Sequence, residues 1–414
     1  MKKCIVIGGG IIGLSTAYYL NRQGHQVTII DKTDMASGAS YVNAGYVAPS
    51  HFRPIAAPGM VSKGLKWMFD SSSPFYMKPR LDMEFFKWAL SFFRVSNANH
   101  VNRSIRPIFD INMLSRELFK EIISETGFQT QFDEKGLMMY FQTQHGQKEE
   151  FEIAEQAQKE FGIATKLVGK KEIANEFEPN IEMNILGGVY YPCDRQMTPG
   201  QFMQQMKTYL KDRGVEMKSG EEVKSFSGKE NSITQVHTDR SSYEGDEFIL
   251  AAGAWTPQIA KKLKIPLLIQ AGKGYRLDVQ KQTGIRMPAV LVEKNMAVSP
   301  MDGFTRFAGT MELAGINNNI RSKRVEAIKN GAESFYKGLS ISPEVMDEVD
   351  YGLRPVSFDG LPLIGRSSKL ENVLIASGHA MMGWGLGPAT GKLITELVEN
   401  KKTSINMEAF NPNR

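Results

Sequence analysis

Apolar residues recur along this chain with two different periods, and the switches between them mark out the elements. Cys4-Ile-Val-Ile7 is a continuous apolar run, the pattern of a strand covered on both faces. A glycine-rich turn follows, and Leu14 to Gln23 reads as an amphipathic helix closed by Gly24. Val27 to Ile30 is a second buried strand, ended by Asp31. Strand, helix and strand at this spacing predict a βαβ unit. Helical periodicity predicts further helices over 82–95, 106–124, 147–161, 198–213 and 324–338, and a last one reaching Val398. Pro199 opens the 198–213 helix from the position where its missing N–H costs nothing.

Short strands are predicted over 186–192, 215–217, 222–226, 234–238 and 247–250. Residues 130–132 and 137–141 flank Asp133-Glu-Lys-Gly136 as a hairpin would. The stretch from about 265 to 325 is strand-rich, with runs at 274–277, 289–292, 296–298 and 305–308, and suits an antiparallel sheet. The order implies an α/β fold, α+β overall. A discontinuous nucleotide domain takes 1–75, 150–264 and 345–414. An inserted domain of antiparallel sheet plus helix takes 76–149 and 265–344.

Composition narrows the function. At 414 residues the chain is long enough for two cores. Fifty basic against 45 acidic residues give a mild +5. Its basic pieces, such as Lys261-Lys-Leu-Lys264, are too short for a nucleic-acid surface and read as solvated helix faces. The two cysteines, Cys4 and Cys193, form no CxxC pair, so no disulfide framework or metal site is expected, and the compartment is expected to be reducing. Lys2-Lys3 and the apolar residues after them resemble a signal peptide only superficially, because the glycines and the strand interrupt it. No run approaches the ~18 apolar residues of a spanning helix.

The first turn carries the chemistry. Gly8-x-Gly10-x-x-Gly13 sits between the strand and the helix, with Asp31 about 20 residues on, the arrangement that binds a dinucleotide. The pyrophosphate sits on the helix N-terminus and the acid accepts from the ribose hydroxyls. Since NAD and FAD both carry ADP, the motif alone does not choose between them. The small-residue stretches Ser37-Gly-Ala-Ser40 and Asn43-Ala-Gly45 suit backbone lying against a flat ligand. Trp67, Met68, Phe69, Phe85, Phe86, Trp88, Phe92 and Phe93 crowd together with basic residues between them. They predict either a helical layer over a pocket or a face lying on a membrane surface. A second glycine-rich turn, Gly378-His-Ala-Met-Met-Gly383-Trp-Gly-Leu-Gly387, links a strand to the final helix, again a design for meeting an anion or carbonyl.

Taken together, Gly8–Gly13, Asn43-Ala-Gly45, Ala251-Ala-Gly253-Ala-Trp255, Gly352-Leu-Arg354-Pro355 and Gly378-His379 resemble the D-amino-acid oxidase superfamily of FAD enzymes over essentially the whole chain. Within it, Asn43-Ala-Gly45, the aromatic–basic insertion, Lys273-Gly-Tyr275 and Gly378 to Trp384 are most similar to the bacterial D-amino-acid dehydrogenases. The resemblance implies a Rossmann-like FAD-binding domain with the inserted domain holding substrate. It implies that Gly8, Gly10, Ile11, Ile12 and Gly13 hold the pyrophosphate, Asp31 and Lys32 the ribose, and Val223 the adenine through its backbone. Ser40, Asn43, Ala44 and Gly45 then lie along the flavin, and Ala252 and Gly253 form the second dinucleotide loop. Ala380, Met381, Met382, Gly383 and Trp384 place N–H groups at the pyrimidine end of the flavin, favouring its anionic reduced form.

The implied reaction is oxidative deamination of a D-amino acid, or of a secondary or cyclic one such as proline, hydroxyproline or sarcosine. Arg354 matches the family's substrate-carboxylate clamp, a role for which planar guanidinium is suited. The plainer reading of Arg354 is a salt bridge at the Pro355 turn. Tyr275 is a pocket residue or a packed strand tyrosine, and His379 a substrate contact or a structural hydrogen bond. Tyr46 is a weaker pocket candidate, and His51 and Arg53 read as surface loop. FAD is expected to be non-covalent, since neither cysteine lies where relatives attach it. Electrons are expected to pass to a quinone or another carrier, from a cytoplasmic protein peripheral to the membrane's inner face. The rival expectations are an oxidase using molecular oxygen and a flavin subunit of a larger electron-transfer assembly.

Overall fold

The computed structural model describes residues 1–59, 75–78, 80 and 82–414. The predicted βαβ unit is present as β1 (Lys3–Ile7), α1 (Ile11–Arg22) and β2 (Gln26–Asp31). β1 lies in the middle of a six-stranded sheet whose order is Glu216–Ser219, β2, β1, Glu247–Leu250, Val373–Ser377 and Leu363–Arg366. All neighbours are parallel except the last pair. Four of the five β1 residues are buried, which is why the run reads as continuously apolar.

Two helices follow the described part of the aromatic stretch; Trp67, Met68 and Phe69 lie outside the described residues. α2 (Met83–Val95) starts at Asp82, whose carboxylate accepts from the Glu84 and Phe85 amides. α3 (Ala98–Thr126) is longer than expected. Asn97 caps it by accepting from His100 N, and Gly127 ends it in the left-handed region. Ile105, Ile108, Ile111, Leu118, Phe119 and Ile122 put α3 into the same core as Leu14, Leu20, Phe202 and Leu393. It therefore packs with the nucleotide domain, although 76–149 were expected in the substrate domain.

The second sheet is built on β3 (Ile269–Val279) and β4 (Phe304–Leu313), backed by α4 (Ser322–Phe335), with β5 (Asp350–Ser357) at one edge. Its path runs β5, β3, β4, Met296–Met301, Ala289–Leu291, Leu137–Phe141, Gly187–Tyr191, Lys166–Gly169, and Phe75–Met77 joins β4. Two expectations are corrected here. The 130–141 hairpin does not form: Phe132–Asp133 pairs with Arg195–Met197, while Leu137–Phe141 pairs with Gly187–Tyr191 and with Ala289–Leu291. The domain borders also shift, because Lys166–Gly169, Gly187–Tyr191 and β5 belong to the second sheet. Edge strands choose partners far away in sequence, which local pattern does not report. α5 (Gly387–Val398) returns to pack on α1. No described helix is long and apolar enough to cross a membrane.

Candidate active site

A cavity of about 1100 Å³ runs between the two sheets, from Val223 and Lys32 past the glycine turn to Arg354. Its nucleotide end is made by close backbone approach. Gly8 has φ +117°, and a Cβ there would stand 2.4 Å from the Ala251 carbonyl oxygen. A Cβ on Gly13 would stand 1.8 Å from the Gly8 oxygen, so only glycine lets α1 begin this close to β1. The N–H groups of Gly10, Ile12 and Gly13 make no hydrogen bond to the described chain, whereas Ile11 N–H donates to Ser40 Oγ at 2.9 Å. Free donors at a helix start are what a pyrophosphate requires.

Asp31 lies on the wall but is not idle. Its Oδ2 accepts from Gly9 N–H at 2.7 Å, and Oδ1 accepts from the Thr33 N–H and hydroxyl, both at 2.8 Å. One acceptor position remains on Oδ2 for a ribose hydroxyl. Lys32 Nζ stands 4.0 Å over the Trp255 ring, and burial lowers its pKa. Val223, Ala252 and Gly253 line the same end, and the Gly253 carbonyl accepts from Ser377 Oγ.

The middle of the cavity is walled by the 39–45 loop. Asn43 shapes that loop from within: Nδ2 donates to the Ala39 and Ser40 carbonyls, and Oδ1 accepts from Gly45 N–H at 2.8 Å. Gly45 has φ +75° and passes so near Met197 that a Cβ would be 2.0 Å from its carbonyl oxygen. The second sheet holds the loop from the other side. Arg306 donates to the Tyr41 and Asn43 carbonyls at 2.7 and 2.8 Å while paired with Asp278, and Ser299 Oγ donates to Ala44 O at 2.7 Å. Sequence reading missed Arg306, Asp278 and Ser299. The one local signal was a buried-strand pattern carrying a charge, Thr305-Arg-Phe-Ala308. Tyr46, a pocket candidate, has its hydroxyl taken by the Ala289 and Val298 carbonyls.

The late loop contributes fewer amides than expected. Ala380 N–H donates to Pro355 O at 2.8 Å and Met382 N–H to His379 O at 2.9 Å, so both are spent on the turn. The N–H groups of Met381, Gly383 and Trp384 have no partner in the described chain and remain for a ligand. His379 is 1% exposed; its Nε2 meets Thr390 Oγ1 at 2.9 Å and burial pushes its pKa down to about 3. It is a neutral ring whose Nε2 pins the loop to α5, while the residue also lines the cavity and its Nδ1 has no partner among the described residues.

Arg354 is half-buried at the far end and makes no ion pair among the described residues. Nη1 donates to the Thr310 carbonyl at 2.8 Å, and the guanidinium lies over Gly274, where a Cβ would come within 2.2 Å of Nη1. Burial pushes its pKa down to about 10, still fully charged at neutral pH. The salt bridge at the Pro355 turn is thus absent among the described residues, and an unpaired cation faces the cavity. Thr310 has φ +64°, costly for a β-branched residue, where the β3–β4 register breaks between Lys273 and Tyr275. That irregularity is what aims its carbonyl at Arg354.

Tyr275 does not join Arg354. In the β3–β5 register Gly272 faces Arg354, so Tyr275 points to the other side of the sheet. Its hydroxyl donates to Glu312 Oε2 at 3.1 Å, and burial raises its pKa to about 12. Tyr275 is thus packed through its hydroxyl on the face away from Arg354, while it also belongs to the lining of the cavity. His51 and Arg53 are exposed loop residues, as expected, and also line the cavity. Ser50 bridges His51 to buried Asp194, with Ser50 Oγ 3.1 Å from His51 Nδ1 and donating to Asp194 Oδ2 at 2.5 Å. Glu150, 5% exposed, shares this end, and burial pushes its pKa up to about 7.

Comparison with known proteins agrees with this geometry. The chain is 29% identical over 410 residues to a D-amino acid dehydrogenase of Helicobacter pylori, covering 98% of this chain and 97% of that one. A D-amino acid dehydrogenase of Neisseria meningitidis is also 29% identical, over 423 residues, with 100% and 99% covered. Among solved structures, glycine oxidase from Geobacillus kaustophilus superposes with a TM-score of 0.78 at 20% identity, covering 100% and 99% of the two chains. L-proline dehydrogenase from P. horikoshii gives 0.74 at 20% identity, covering 100% and 97%. The model of the DAO family, described as FAD dependent oxidoreductase, matches residues 3–397, and with nearly the whole chain inside it this protein belongs to that family.

Proposed function

We propose that this protein is a D-amino-acid dehydrogenase, oxidising the Cα–N bond of its substrate and passing the electrons to a quinone or another carrier. The observation that carries the reading is the unpaired Arg354 at the end of the nucleotide cavity, with full-length D-amino acid dehydrogenase relatives beside it. FAD, when bound, would supply the two-electron acceptor of the reaction. Its ADP fits the free amides of Gly10, Ile12 and Gly13 and the open acceptor of Asp31. The free amides of Met381, Gly383 and Trp384 suit the oxygen-bearing edge of the flavin. Neither cysteine lines the cavity, so neither is placed to bond the flavin.

Arg354 fixes the carboxylate, which leaves the Cα hydrogen to depart as hydride from the neutral amine. The imine so formed is hydrolysed by water to a 2-oxo acid and ammonia; a cyclic substrate gives a cyclic imine. No general base is needed, and neutral His379 offers none. The glycine oxidase neighbours support a second reading, an oxidase that reoxidises its flavin with molecular oxygen.

Anaerobic bleaching of the flavin near ~450 nm against D-amino acids, L-amino acids and N-alkyl or cyclic ones tests both. Bleaching by D-amino acids with slow recolouring in air is expected. Fast recolouring would install the oxidase. No bleaching by any of them would abandon the reading for a flavin subunit that works only within a larger assembly.

A further inference from the structure

The cavity continues away from Arg354 over the face of the second sheet. Met139, Val290, Ala297 and Ala308 are register partners in turn across four neighbouring strands, and all four line it. At about 4.8 Å per strand step, this cross-strand row floors a corridor of about 14 Å. The row carries no polar side chain. Its near end is Ala308, two residues before Thr310, whose carbonyl accepts from Arg354. Its far end is Met139, beside the helix Gln144–Phe161, which packs on the sheet through Phe151 and Phe141.

Carboxyls close that far end. Glu150 is 5% exposed and lines the cavity, and its carboxyl makes no hydrogen bond or ion pair among the described residues. One turn earlier on the same helix face, Glu293 rests against Gly146, where a Cβ would stand 2.6 Å from Oε1. That Oε1 accepts from the Gln142 and Thr143 amides at 3.0 and 2.9 Å, while Oε2 is buried without a donor. Carboxyl oxygens that have given up water and gained no donor are costly, so the wall is short of a cation. Arg53 is close enough to act on Glu150 but donates to Gln156 Oε1 at 3.0 Å, and His145 pairs with Glu149 at 3.3 Å. No group of three or more acids, histidines or cysteines among the described residues could hold a metal ion.

The two ends of the corridor call for opposite charges. Arg354 lacks an anion, Glu150 lacks a cation, and the floor between them is apolar. A molecule with a carboxylate, an alkyl stem and a terminal cation answers all three. Lysine has such a stem of four carbons. From carboxylate to ammonium it spans roughly 9 Å extended at ~1.5 Å per bond. A hydrogen bond of about 3 Å at each end brings the total to roughly 15 Å, close to the length of the floor. Exposed His145 and Glu149 line the same end, so it opens to water and admits a charged group.

We propose that Glu150 selects substrates with a cationic side chain, so that the preferred class is the basic D-amino acids. The proposal rests on the dehydrogenase reading, which places the substrate carboxylate on Arg354. Glu150 meets the end of the side chain and takes no part in the departure of the hydride. As an acceptor-only group it suits an ammonium or a guanidinium equally.

The test uses the FAD-loaded protein and compounds that share a stem and differ in terminal charge. In the wild type, kcat/KM for D-lysine is expected to exceed that for D-norleucine at least ~10-fold, as a charged hydrogen bond allows. Glu150→Gln should bring that ratio close to one, with the loss falling on KM. Calorimetry supplies a readout without turnover. 6-Aminohexanoate, which has no α-amine to oxidise, should bind the wild type at least ~10-fold tighter than hexanoate does, and Glu150→Gln should erase the gap. The wild-type comparisons decide even where the variant does not fold. Equal values for the charged and uncharged compounds in the wild type, or a preference that Glu150→Gln keeps, would overturn the selection, and bleaching by D-norleucine would leave the dehydrogenase reading intact. A protein bleached by no amino acid that still holds 6-aminohexanoate through Glu150 would overturn the dehydrogenase reading and leave the cation site standing.

Discussion

Arg354 shows why a functional side chain has to be judged by what does not surround it. Its guanidinium keeps one backbone acceptor and no described carboxylate, so truncation removes a charge-assisted partner from the substrate and leaves no buried anion behind. Arg354→Ala is expected to keep FAD and raise KM for the amino acid by ~10²-fold or more, in line with ~3 kcal/mol; an unchanged KM in steady-state assays would take Arg354 out of the pocket. Asp31 is a different case, because it already holds the Gly9 amide and has only one acceptor position left for a ligand. Asp31→Ala should weaken FAD by ~10- to 100-fold through loss of charged hydrogen bonds, seen as flavin lost on dialysis. Retention of all the flavin would make Asp31 a purely structural residue. Motif spacing pointed to Asp31 and the family resemblance to Arg354, and both lie on the cavity wall. The roles of Tyr275 and His379 were not readable, because which face of a strand looks into a cavity depends on register, and a buried imidazole looks the same in sequence whether it touches substrate or Thr390.

At the scale of elements, the βαβ unit was legible because each of its signals is local: a doubly buried strand, a glycine turn and an amphipathic helix. The second sheet was legible as strands but not as pairings. Leu137–Phe141 finds Ala289–Leu291 across some 150 residues, and a turn-like Asp133–Gly136 gave no hint of it. The 39–45 loop stood out by its small residues, yet the residues that fix it come from β3 and β4, far along the chain. Arg306→Leu should therefore harm two properties together. Losing the buried pair and two carbonyl contacts costs about 3 kcal/mol of stability, and loosening of the 39–45 loop lowers FAD affinity. Thermal unfolding and flavin titration check this, and a stable variant with normal flavin affinity would show that the loop holds itself.

For the whole molecule, buried carboxyls with raised pKa shape the pH response, Asp194, Glu150 and Glu178 among them. Burial pushes Glu150 and Glu178 up to about 7; Glu178 accepts from the Arg286 and Met287 amides, which offsets only part of that cost. Both are raised above the ordinary glutamate value of 4.5. Their contribution to folding is therefore whole below about pH 4.5 and is lost as pH rises through 7. Melting temperature is expected to fall between pH 5 and 8, and Glu150→Gln with Glu178→Gln to flatten that fall. Equal slopes in the wild type and the double variant would refute it. The two sheets meet around the cavity proposed for the cofactor: Arg306 and Ser299 of the second sheet grip the 39–45 loop on its wall. A ligand bound at such a seam belongs to the folded state alone, so free FAD at 100 times its dissociation constant adds about 2.7 kcal/mol to stability. Flavin supply thus governs how much of the protein survives as well as how active it is. Stripped of FAD, the chain should be cut by protease several-fold faster than the loaded form; equal cutting rates would mean that the lobes close without it. A cell short of riboflavin would then clear this catalyst by proteolysis and not store it idle.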